Sequence, residues 1–400
     1  MEELMYYVWQ QRLFQAIVTI DDNPIEIIHP GLRNLDAGPD FFNAKIRIDG
    51  MLWAGNVEMH VKASDWFRHN HHTNHAYDNV ILHVVLNADS VISLPDGQPI
   101  KTVVMKIPQD VMERYRMITA NQPYSFSAIR CAQFVPSLPS LVMNDWLTAL
   151  ATQRMLGKVK RVRDLIVDSH ESWQEAFYVI LCRSLGTGVN GDACERLARS
   201  LPYRFLQKHL DNDLQVRALL LGQAGLIPAD DDRLAAEYAF LRAKFSLTPI
   251  DASVWRLSRL RPQASPLVRL SALAQLLRSH PNLFSEVITA DDIDSMRRLF
   301  FVSRHIGMQT VNSIIINAVV PLLMAYAEWQ CDSAMCERAL EMLEHIPAES
   351  NRYMDYWVQA GVPIRNAFDS QALLHLYREY CEQHKCMNCR IGCWLIKHRQ

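Results

Sequence analysis

Short apolar and alternating stretches in the first part of the chain predict a sheet of β-strands. The clearest pair lies within residues 38–66, where Asp49-Gly50 separates two strand-like runs. An Asp-Gly turn between such runs is a strong signal for an antiparallel hairpin. A mostly apolar run from Val80 to Leu86 is typical of a strand at the centre of a sheet. Further strands are predicted at residues 25–28, 91–94 and 101–107, and a helix at residues 2–18.

The second strand of the predicted hairpin has an unusual polar face. Because side chains alternate along a strand, Trp53, Gly55, Val57, Met59 and Val61 share one face. The opposite face carries Asn56, Glu58, His60 and Lys62. If a cleft covers this face, its carboxylate, imidazole and ammonium groups form a candidate functional site. If solvent covers the face, the same groups are ordinary surface residues. The pattern alone leaves both open.

From about residue 110 the apolar positions recur with the period of an α-helix. Long helices are predicted near residues 142–156, 171–184, 192–209, 233–247, 266–279, 309–328, 333–346 and 369–385. The predicted fold class is therefore α+β. We expect an α/β domain over residues 1–110 and a mostly α-helical region over residues 111–400, which ends in a Cys-rich segment.

Composition and charge narrow the function classes. The 400 residues carry a net charge of −2, which argues against a surface coated with basic charge but leaves room for a local basic cleft. The N-terminus is acidic where a secretory signal would be basic. The longest apolar run, residues 314–327, is too short to span a bilayer and contains Asn317 and Pro321. No membrane partner is therefore expected. Nine cysteines, an odd number without an export signal, indicate a reducing cytoplasm and thiols or metal sites rather than a disulfide framework.

The carboxylates can be placed on the predicted elements. Asp40 follows Pro39 at the start of one strand of the hairpin, and Glu58 lies within the other. This arrangement resembles the PD-(D/E)xK nuclease superfamily, and it implies a restriction-endonuclease-like mixed sheet. The resemblance further implies that Asp40 and Glu58 hold Mg²⁺, which prefers carboxylate oxygens and assists phosphodiester hydrolysis of DNA or RNA.

One position departs from the superfamily pattern. His60 stands where the resemblance implies a lysine, and Lys62 lies on the same face about 6–7 Å further along the strand. The implied catalytic set is therefore Asp40, Glu58, His60 and Lys62, with Glu3 as an additional acidic residue. The alternatives are a simple turn beside a solvated ion pair of little worth, or a non-catalytic relative that binds nucleic acid or a protein.

The whole chain is also similar to an uncharacterised bacterial family, a domain of unknown function. The segments that carry this resemblance are Gly38-Pro39-Asp40-Phe41, Gly55-Asn56-Val57-Glu58-Met59-His60, Ser64-Asp65-Trp66 and Leu221-Gly222-Gln223-Ala224-Gly225, with a Cys-rich end. It implies no activity, because none is established for that family.

The Cys-rich end predicts a second metal site. Cys381, Cys386, Cys389 and Cys393 are dense enough to converge on Zn²⁺ or an iron–sulfur cluster, both of which thiolates suit. By analogy with nucleases of the superfamily that carry such a cluster, Cys131 replaces Cys393 as the fourth ligand. The alternative is a set of reduced thiols that pack as small hydrophobes.

Three further features each have a structural interpretation, and two of them also have a functional alternative. Four histidines, at positions 69, 71, 72 and 75, either belong to a solvated loop or bind metal or phosphate near the carboxylates. His83, inside an apolar strand, is expected to be a hydrogen-bonded core residue. Basic stripes at Arg154–Arg163 and Arg256–Arg269 either track a phosphate backbone or form solvated helix faces.

Overall fold

The computed structural model describes residues 1–19, 25–94, 97–119, 129–301 and 306–398. The chain divides into two compact units. One contains Met1–Trp146, Asp355–Val362 and Leu376–Gln400, and the other contains Leu147–Met354 and Pro363–His375. The last strand ends at Lys106, near the predicted change from strands to helices at about residue 110. The unit that holds the strands extends beyond this point and includes the Cys-rich end.

A mixed sheet forms the centre of the first unit. Its strands are β1 (Ala16–Thr19), β2 (Ile25–His29), β3 (Leu32–Arg33), β4 (Phe41–Ile48), β5 (Met51–Lys62), β6 (Val80–Asn87) and β7 (Thr102–Lys106). Six of them lie in the order β1-β7-β6-β5-β4-β2, and the short β3 pairs with β4. The pairs β5–β6 and β6–β7 are parallel, and the other pairs are antiparallel. This sheet and the helices that follow confirm the α+β class.

The predicted hairpin is confirmed at its turn. β4 and β5 pair antiparallel, with Ile48 opposite Met51. Asp49 and Gly50 have φ angles of 50° and 79°. Positive φ at both central residues is what a two-residue hairpin turn of this kind needs, and Asp-Gly accommodates it.

Two local predictions in this unit are wrong. Helix α1 (Glu2–Gln11) ends at Arg12, which has left-handed backbone angles, and residues 16–19 form β1 instead of continuing the helix. Pairing of β1 with the distant β7 stabilises that strand. Residues 91–94 form no strand but only an isolated bridge between Ser93 and Pro99.

The polar face of β5 is covered by protein. Glu58 and His60 are buried, as are Val57 and Met59 on the opposite face. The cover is the connection between β5 and β6, which contains α2 (Asp65–Arg68) and two 3₁₀ turns. The solvated-face interpretation of this strand is therefore wrong.

Helices make up most of the remaining chain. They are α3 (Gln109–Thr119), α4 (Ser140–Asp168), α5 (Trp173–Leu185), α6 (Thr187–Ser200), α7 (Tyr203–Gln207), α8 (Asp213–Gln223), α9 (Asp232–Phe245), α10 (Pro266–Ser279), α11 (Leu283–Thr289), α12 (Ile293–Phe300), α13 (Met308–Ile314), α14 (Val320–Gln330), α15 (Ser333–His345), α16 (Arg352–Gln359), α17 (Ala367–Leu376) and α18 (Arg390–Lys397). Each of the eight predicted helical segments coincides with at least one of them.

One helical segment of the second unit is unusually apolar. A π-helical turn, Ile315–Val319, joins α13 to α14, so that Met308–Gln330 is one helical stretch of 23 residues with a mean hydropathy of 1.6. By length and composition it is sufficient to cross a membrane, which corrects the expectation drawn from the shorter apolar run. In the structure, 72% of its most apolar window is buried inside the protein, as in a core helix.

A close approach at Gly222 gives a stability prediction for the second unit. A Cβ atom on Gly222, in α8, would lie 2.1 Å from the Tyr238 ring. The Tyr238 hydroxyl donates a hydrogen bond to Gln223 Oε1 at 2.9 Å, so the ring has a reason to stay in place. We expect Gly222→Ala to lower the free energy of unfolding by about 1–3 kcal/mol, measured as a lower denaturant midpoint.

Gly157 provides the matched control. It lies within α4, and a Cβ atom there would meet nothing within 4 Å. Gly157→Ala is expected to raise the free energy of unfolding by about 0.5–1 kcal/mol, because alanine has the higher helix propensity. Equal midpoints for the two variants would contradict the close packing at Gly222.

Candidate metal site

The structure brings Asp40 and Glu58 together. Asp40 directly precedes β4 and Glu58 lies in the neighbouring β5. The backbone N–H of Asp40 donates to Glu58 Oε2 at 3.0 Å. The hairpin therefore holds the two carboxylates of the predicted site side by side.

Protein groups already satisfy the Asp40 carboxylate. Arg33 Nη1 lies 3.0 Å from Oδ1, and the backbone N–H of Met59 donates to Oδ2 at 2.9 Å. The Tyr6 hydroxyl also bonds to Asp40, and the Arg33 guanidinium lies 3.6 Å above the Tyr6 ring centre. Burial raises the pKa of Asp40, and Arg33, Tyr6 and the Met59 N–H oppose this rise.

Glu58 faces two histidines. Its Oε1 atom lies 3.3 Å from His71 Nε2 and 3.6 Å from His60 Nε2, and its side chain is only 6% exposed. Burial, and then the charge of Asp40, raise the pKa of Glu58 to about 9. Glu2, not the exposed Glu3 that the resemblance implied, adds to that shift.

Three histidines converge beside Glu58. One ring nitrogen from each of His60, His69 and His71 lies within 4.8 Å of the other two, the spacing of ligands around one metal ion. His60 Nε2 is 3.1 Å from His69 Nδ1. His60 and His71 are buried and His69 is exposed. Among the histidine, cysteine and carboxylate side chains of the described ranges, these three histidines form the group whose ligand atoms lie at this spacing.

A second layer of side chains orients the cluster. His83 is fully buried in β6, and its Nε2 atom lies 2.9 Å from His60 Nδ1, which confirms His83 as a hydrogen-bonded core residue. The pKa values of His60 and His83 are both lowered to about 3, and burial is the main cause for each ring. Both rings are therefore neutral near pH 7. A contact on Nδ1 that leaves Nε2 free for an ion is the usual arrangement of metal-binding histidines.

Trp66 and Tyr77 pack against this layer. Trp66 is fully buried, with its ring 5.3 Å from His71 and 5.5 Å from His83, centre to centre. Tyr77 stacks on His71 at 3.9 Å. Both aromatic residues come from the connection between β5 and β6, so the packing of that connection fixes where His69 and His71 lie.

Lys62 and His75 do not join the cluster. Lys62 is exposed at the end of β5, and its backbone N–H donates to Asp65 Oδ2 at 3.3 Å. His75 is exposed and pairs with Asp78. Of the implied catalytic set, the structure thus brings Asp40, Glu58 and His60 together and leaves Lys62 at the surface.

The donor set fits a transition metal better than Mg²⁺. Imidazole nitrogens suit Zn²⁺ or Fe²⁺, whereas Mg²⁺ prefers carboxylate and water oxygens. The three imidazoles make a ligand group of the first kind, and the Glu58 carboxylate lies within 3.6 Å of two of them. The residues that could hold an ion are therefore His60, His69, His71 and Glu58, with Asp40 holding Glu58 in place.

The other predicted features are distributed over both units. Cys381, Cys386, Cys389 and Cys393 lie in the first unit together with Cys131, and all are free thiols. In the second unit, Arg154 Nε and Lys158 Nζ both donate to Gln371 Oε1, at 2.6 and 2.7 Å, and Arg269 is buried. Arg154 and Lys158 of the first stripe are hydrogen-bonded to protein, and Arg269 of the second stripe is buried. Neither basic stripe is therefore a continuous solvated helix face.

The model of a family described as a protein of unknown function, DUF2851, matches residues 2–352. The chain belongs to this family, as the sequence segments indicated. The Cys-rich end lies beyond the matched residues. No curated protein and no solved structure matches the chain.

The raised pKa of Glu58 predicts proton release on metal binding. At pH 7 the metal-free Glu58 holds a proton, because its pKa is about 9, while His60 is already neutral. An ion bound through Glu58 must displace that proton, so we expect about one proton released per ion. The apparent affinity should therefore rise with pH until Glu58 ionises by itself.

Calorimetric titration with Zn²⁺ in buffers of different ionisation enthalpy measures this release. Glu58→Gln is the control, since it keeps the side-chain shape but has no proton to lose. The same proton count in both proteins would show that another group is the source.

Proposed function

We propose that the protein is a metal-dependent nuclease that hydrolyses phosphodiester bonds in DNA or RNA. The carrying observation is the convergence of His60, His69 and His71, two of which face Glu58 beside Asp40. A set of nitrogen and oxygen ligands next to a buried carboxylate pair is typical of hydrolytic metal sites.

The position of the cluster in the sheet supports phosphodiester chemistry. Asp40 follows Pro39 at the start of β4, and Glu58 lies in the adjacent β5, as the likeness to the PD-(D/E)xK superfamily implies. A helix precedes these strands, and β6 runs parallel to β5. This order supports a restriction-endonuclease-like fold for the first unit. Fold likeness raises the expectation of a nuclease, and the residues of the site must carry the rest.

The proposed roles follow from the contacts. His60, His69, His71 and Glu58 would hold the ion, which would supply Lewis acidity toward a phosphoryl oxygen. Asp40 positions Glu58 through its backbone N–H, and the Asp40–Arg33 pair fixes that loop. His83 holds the His60 ring from behind. His60 thus takes a ligand role at the position where the superfamily has a lysine.

Two observations favour a second candidate, a non-catalytic relative that binds nucleic acid or a protein. Both Asp40 carboxylate oxygens have protein partners, and Lys62 is exposed away from the implied catalytic position. A nuclease fold that lacks the lysine, and whose aspartate is bonded to Arg33 and Met59, could keep the metal ion as a structural element.

Activity measurements separate the two candidates. Purified protein is incubated with single- and double-stranded DNA and with RNA, in the presence of Zn²⁺, Mn²⁺ or Mg²⁺, beside Asp40→Asn and Glu58→Gln. The proposal expects ion-dependent cleavage that Glu58→Gln abolishes and Asp40→Asn reduces. Equal cleavage by all three proteins would indicate a contaminating enzyme. Ion binding without any cleavage would favour the non-catalytic relative.

A further inference from the structure

The second unit contains a surface cleft of about 350 Å³ that has no part in the proposed nuclease site. It lies between the turn that joins α4 to α5 and the turn that joins α6 to α7. Leu165, Val179 and Tyr203 line it and are buried, so they form an apolar floor. Small-molecule sites usually measure roughly 300–1,000 Å³ and combine apolar surface with a few polar groups. The cleft is therefore large enough for one small molecule.

Polar side chains link the two turns across the cleft. Arg199 Nη1, in α6, donates to Asp168 Oδ2, at the end of α4, at 3.0 Å. Gln207 Nε2, in α7, donates to Gln174 Oε1, in α5, at 3.3 Å. All four residues line the cleft. These contacts connect its two sides within the protein itself, and a preorganised site lowers the free-energy cost of binding.

Both carboxylates of the cleft already have partners. Asp168 is paired with Arg199. Glu175, in the first turn of α5, accepts the backbone N–H of Tyr203 with both of its oxygens, at 3.0 and 2.9 Å. Burial is the main cause that raises the pKa of Glu175, and that N–H and the nearby Arg204 oppose the rise. Neither carboxylate is therefore left as a site for a cation.

Two basic side chains of the cleft have no carboxylate partner among the described residues. His170 and Arg204 line the cleft and are exposed. Within the described part of the second unit, neither side chain forms an ion pair or a hydrogen bond. The Arg204 guanidinium lies 5.3 Å from the Phe205 ring centre, a cation–π contact that engages none of its N–H groups. Because a guanidinium binds oxyanions through paired N–H groups, these two side chains favour an anionic ligand group.

His170 stands where a helix end usually has glycine. His170 and Glu171 follow α4 with φ angles of 51° and 65°. The N–H of His170 donates to the Val167 carbonyl at 3.2 Å, and the N–H of Glu171 donates to the Ile166 carbonyl at 2.9 Å. This pair of bonds is a common helix ending with glycine in the left-handed position, and another residue there carries strain. Strained residues of this kind cluster at ligand sites, and here the strain brings an imidazole to the cleft.

We propose that this cleft binds a small organic anion, a molecule with an apolar body and one phosphate or carboxylate group. The body would lie on the apolar floor, and His170 and Arg204 would bind the anionic group. All the residues of this site belong to the second unit. The proposal therefore adds a second function and does not depend on cleavage of nucleic acid.

Saturation-transfer NMR on the full-length protein tests the chemical class of the ligand. Phenyl phosphate and benzoate are the probes, because they share an aromatic ring and differ in the anionic group. A chelator is present, so that no metal ion at the histidine site can bind them. The proposal expects saturation transfer to at least one of the two anions and none to benzyl alcohol, which has the ring without the charge. Inorganic phosphate, which has the charge without the ring, should displace the bound anion only weakly.

The same measurement identifies the anionic group. Transfer to phenyl phosphate alone assigns a phosphate, transfer to benzoate alone assigns a carboxylate, and transfer to both shows that either group serves. No transfer to either anion, or equal transfer to benzyl alcohol, would overturn the proposal. Because this readout needs neither a metal ion nor cleavage, its failure is distinguishable from a failure of the nuclease proposal.

Two variants locate the site. His170→Gly removes the left-handed strain, so we expect a higher denaturant midpoint together with binding weakened by about 10-fold or more. Arg204→Gln is also expected to weaken binding by about 10-fold or more, because a hydrogen bond to a charged group is lost. Lys208→Gln is the matched control, since Lys208 is exposed just after α7 and does not line the cleft. Unchanged binding in either of the first two variants, or equal weakening by Lys208→Gln, would overturn the assignment.

Discussion

His60→Ala is expected to weaken Zn²⁺ binding at the histidine site by at least about 100-fold. Loss even of residues that only orient metal ligands costs about 10–100-fold in affinity, and His60 lies against His69, His71, Glu58 and His83. Its Nε2 atom faces His69 and Glu58, and its Nδ1 atom faces His83. Equilibrium dialysis with Zn²⁺ measures the change, and the thiols contribute equally to both proteins.

His75→Ala is the matched control for this experiment. His75 comes from the same connection between β5 and β6, but it is exposed and pairs with Asp78. It should leave the affinity unchanged. Circular dichroism checks that His60→Ala keeps its fold, since His60 is buried. Equal affinities in a folded His60→Ala protein and in wild type would refute the site.

Trp66→Ala is expected to lower the free energy of unfolding by about 3–5 kcal/mol, the usual range for emptying the place of a buried tryptophan. Trp66 is fully buried and packs with Tyr77, Val80 and Val85. Its ring also contacts His71 and His83, so the cavity would open directly beneath the cluster. Denaturant unfolding followed by circular dichroism measures the loss.

Phe67→Ala serves as the neighbouring control. Phe67 follows Trp66 in α2 but is 37% exposed, so its removal should cost well below the range for Trp66. Trp66→Ala should also weaken Zn²⁺ binding, because His71 loses a wall of its packing. A Trp66→Ala protein as stable as Phe67→Ala would show that the connection does not depend on this anchor.

The parts of the fold that depend on neighbouring residues could be predicted from the sequence. The Asp49-Gly50 turn specifies its hairpin locally, and Asp40, Glu58 and His60 all belong to that hairpin or its edge. Strand β1 was missed because its partner, β7, lies far away in sequence. No local pattern reveals such pairing.

The histidine cluster shows the same limit within the site. His69 and His71 occur in a polar segment whose residues are equally compatible with a solvated loop. Burial of Trp66 and stacking of Tyr77 on His71 decide their position, and both depend on tertiary packing. The sequence does hold one signal of this burial, since Trp66 and Tyr77 flank the histidines. Alternation along β5 predicts that Lys62 belongs to the site, but Lys62 is exposed. The alternation cannot show where along a strand the covering protein ends.

The unequal exposure of the three histidines has a consequence for exchange rates. His60 and His71 are buried, whereas His69 reaches solvent. An ion that enters or leaves must pass the exposed ligand, so His69 should govern how quickly the ion exchanges while His60 governs how much is bound. His69→Ala is then expected to speed release of Zn²⁺ to a competing chelator in stopped-flow measurements. The protein would thus hold its ion by three buried ligands, His60, His71 and Glu58, and by one ligand that is open to solvent, His69.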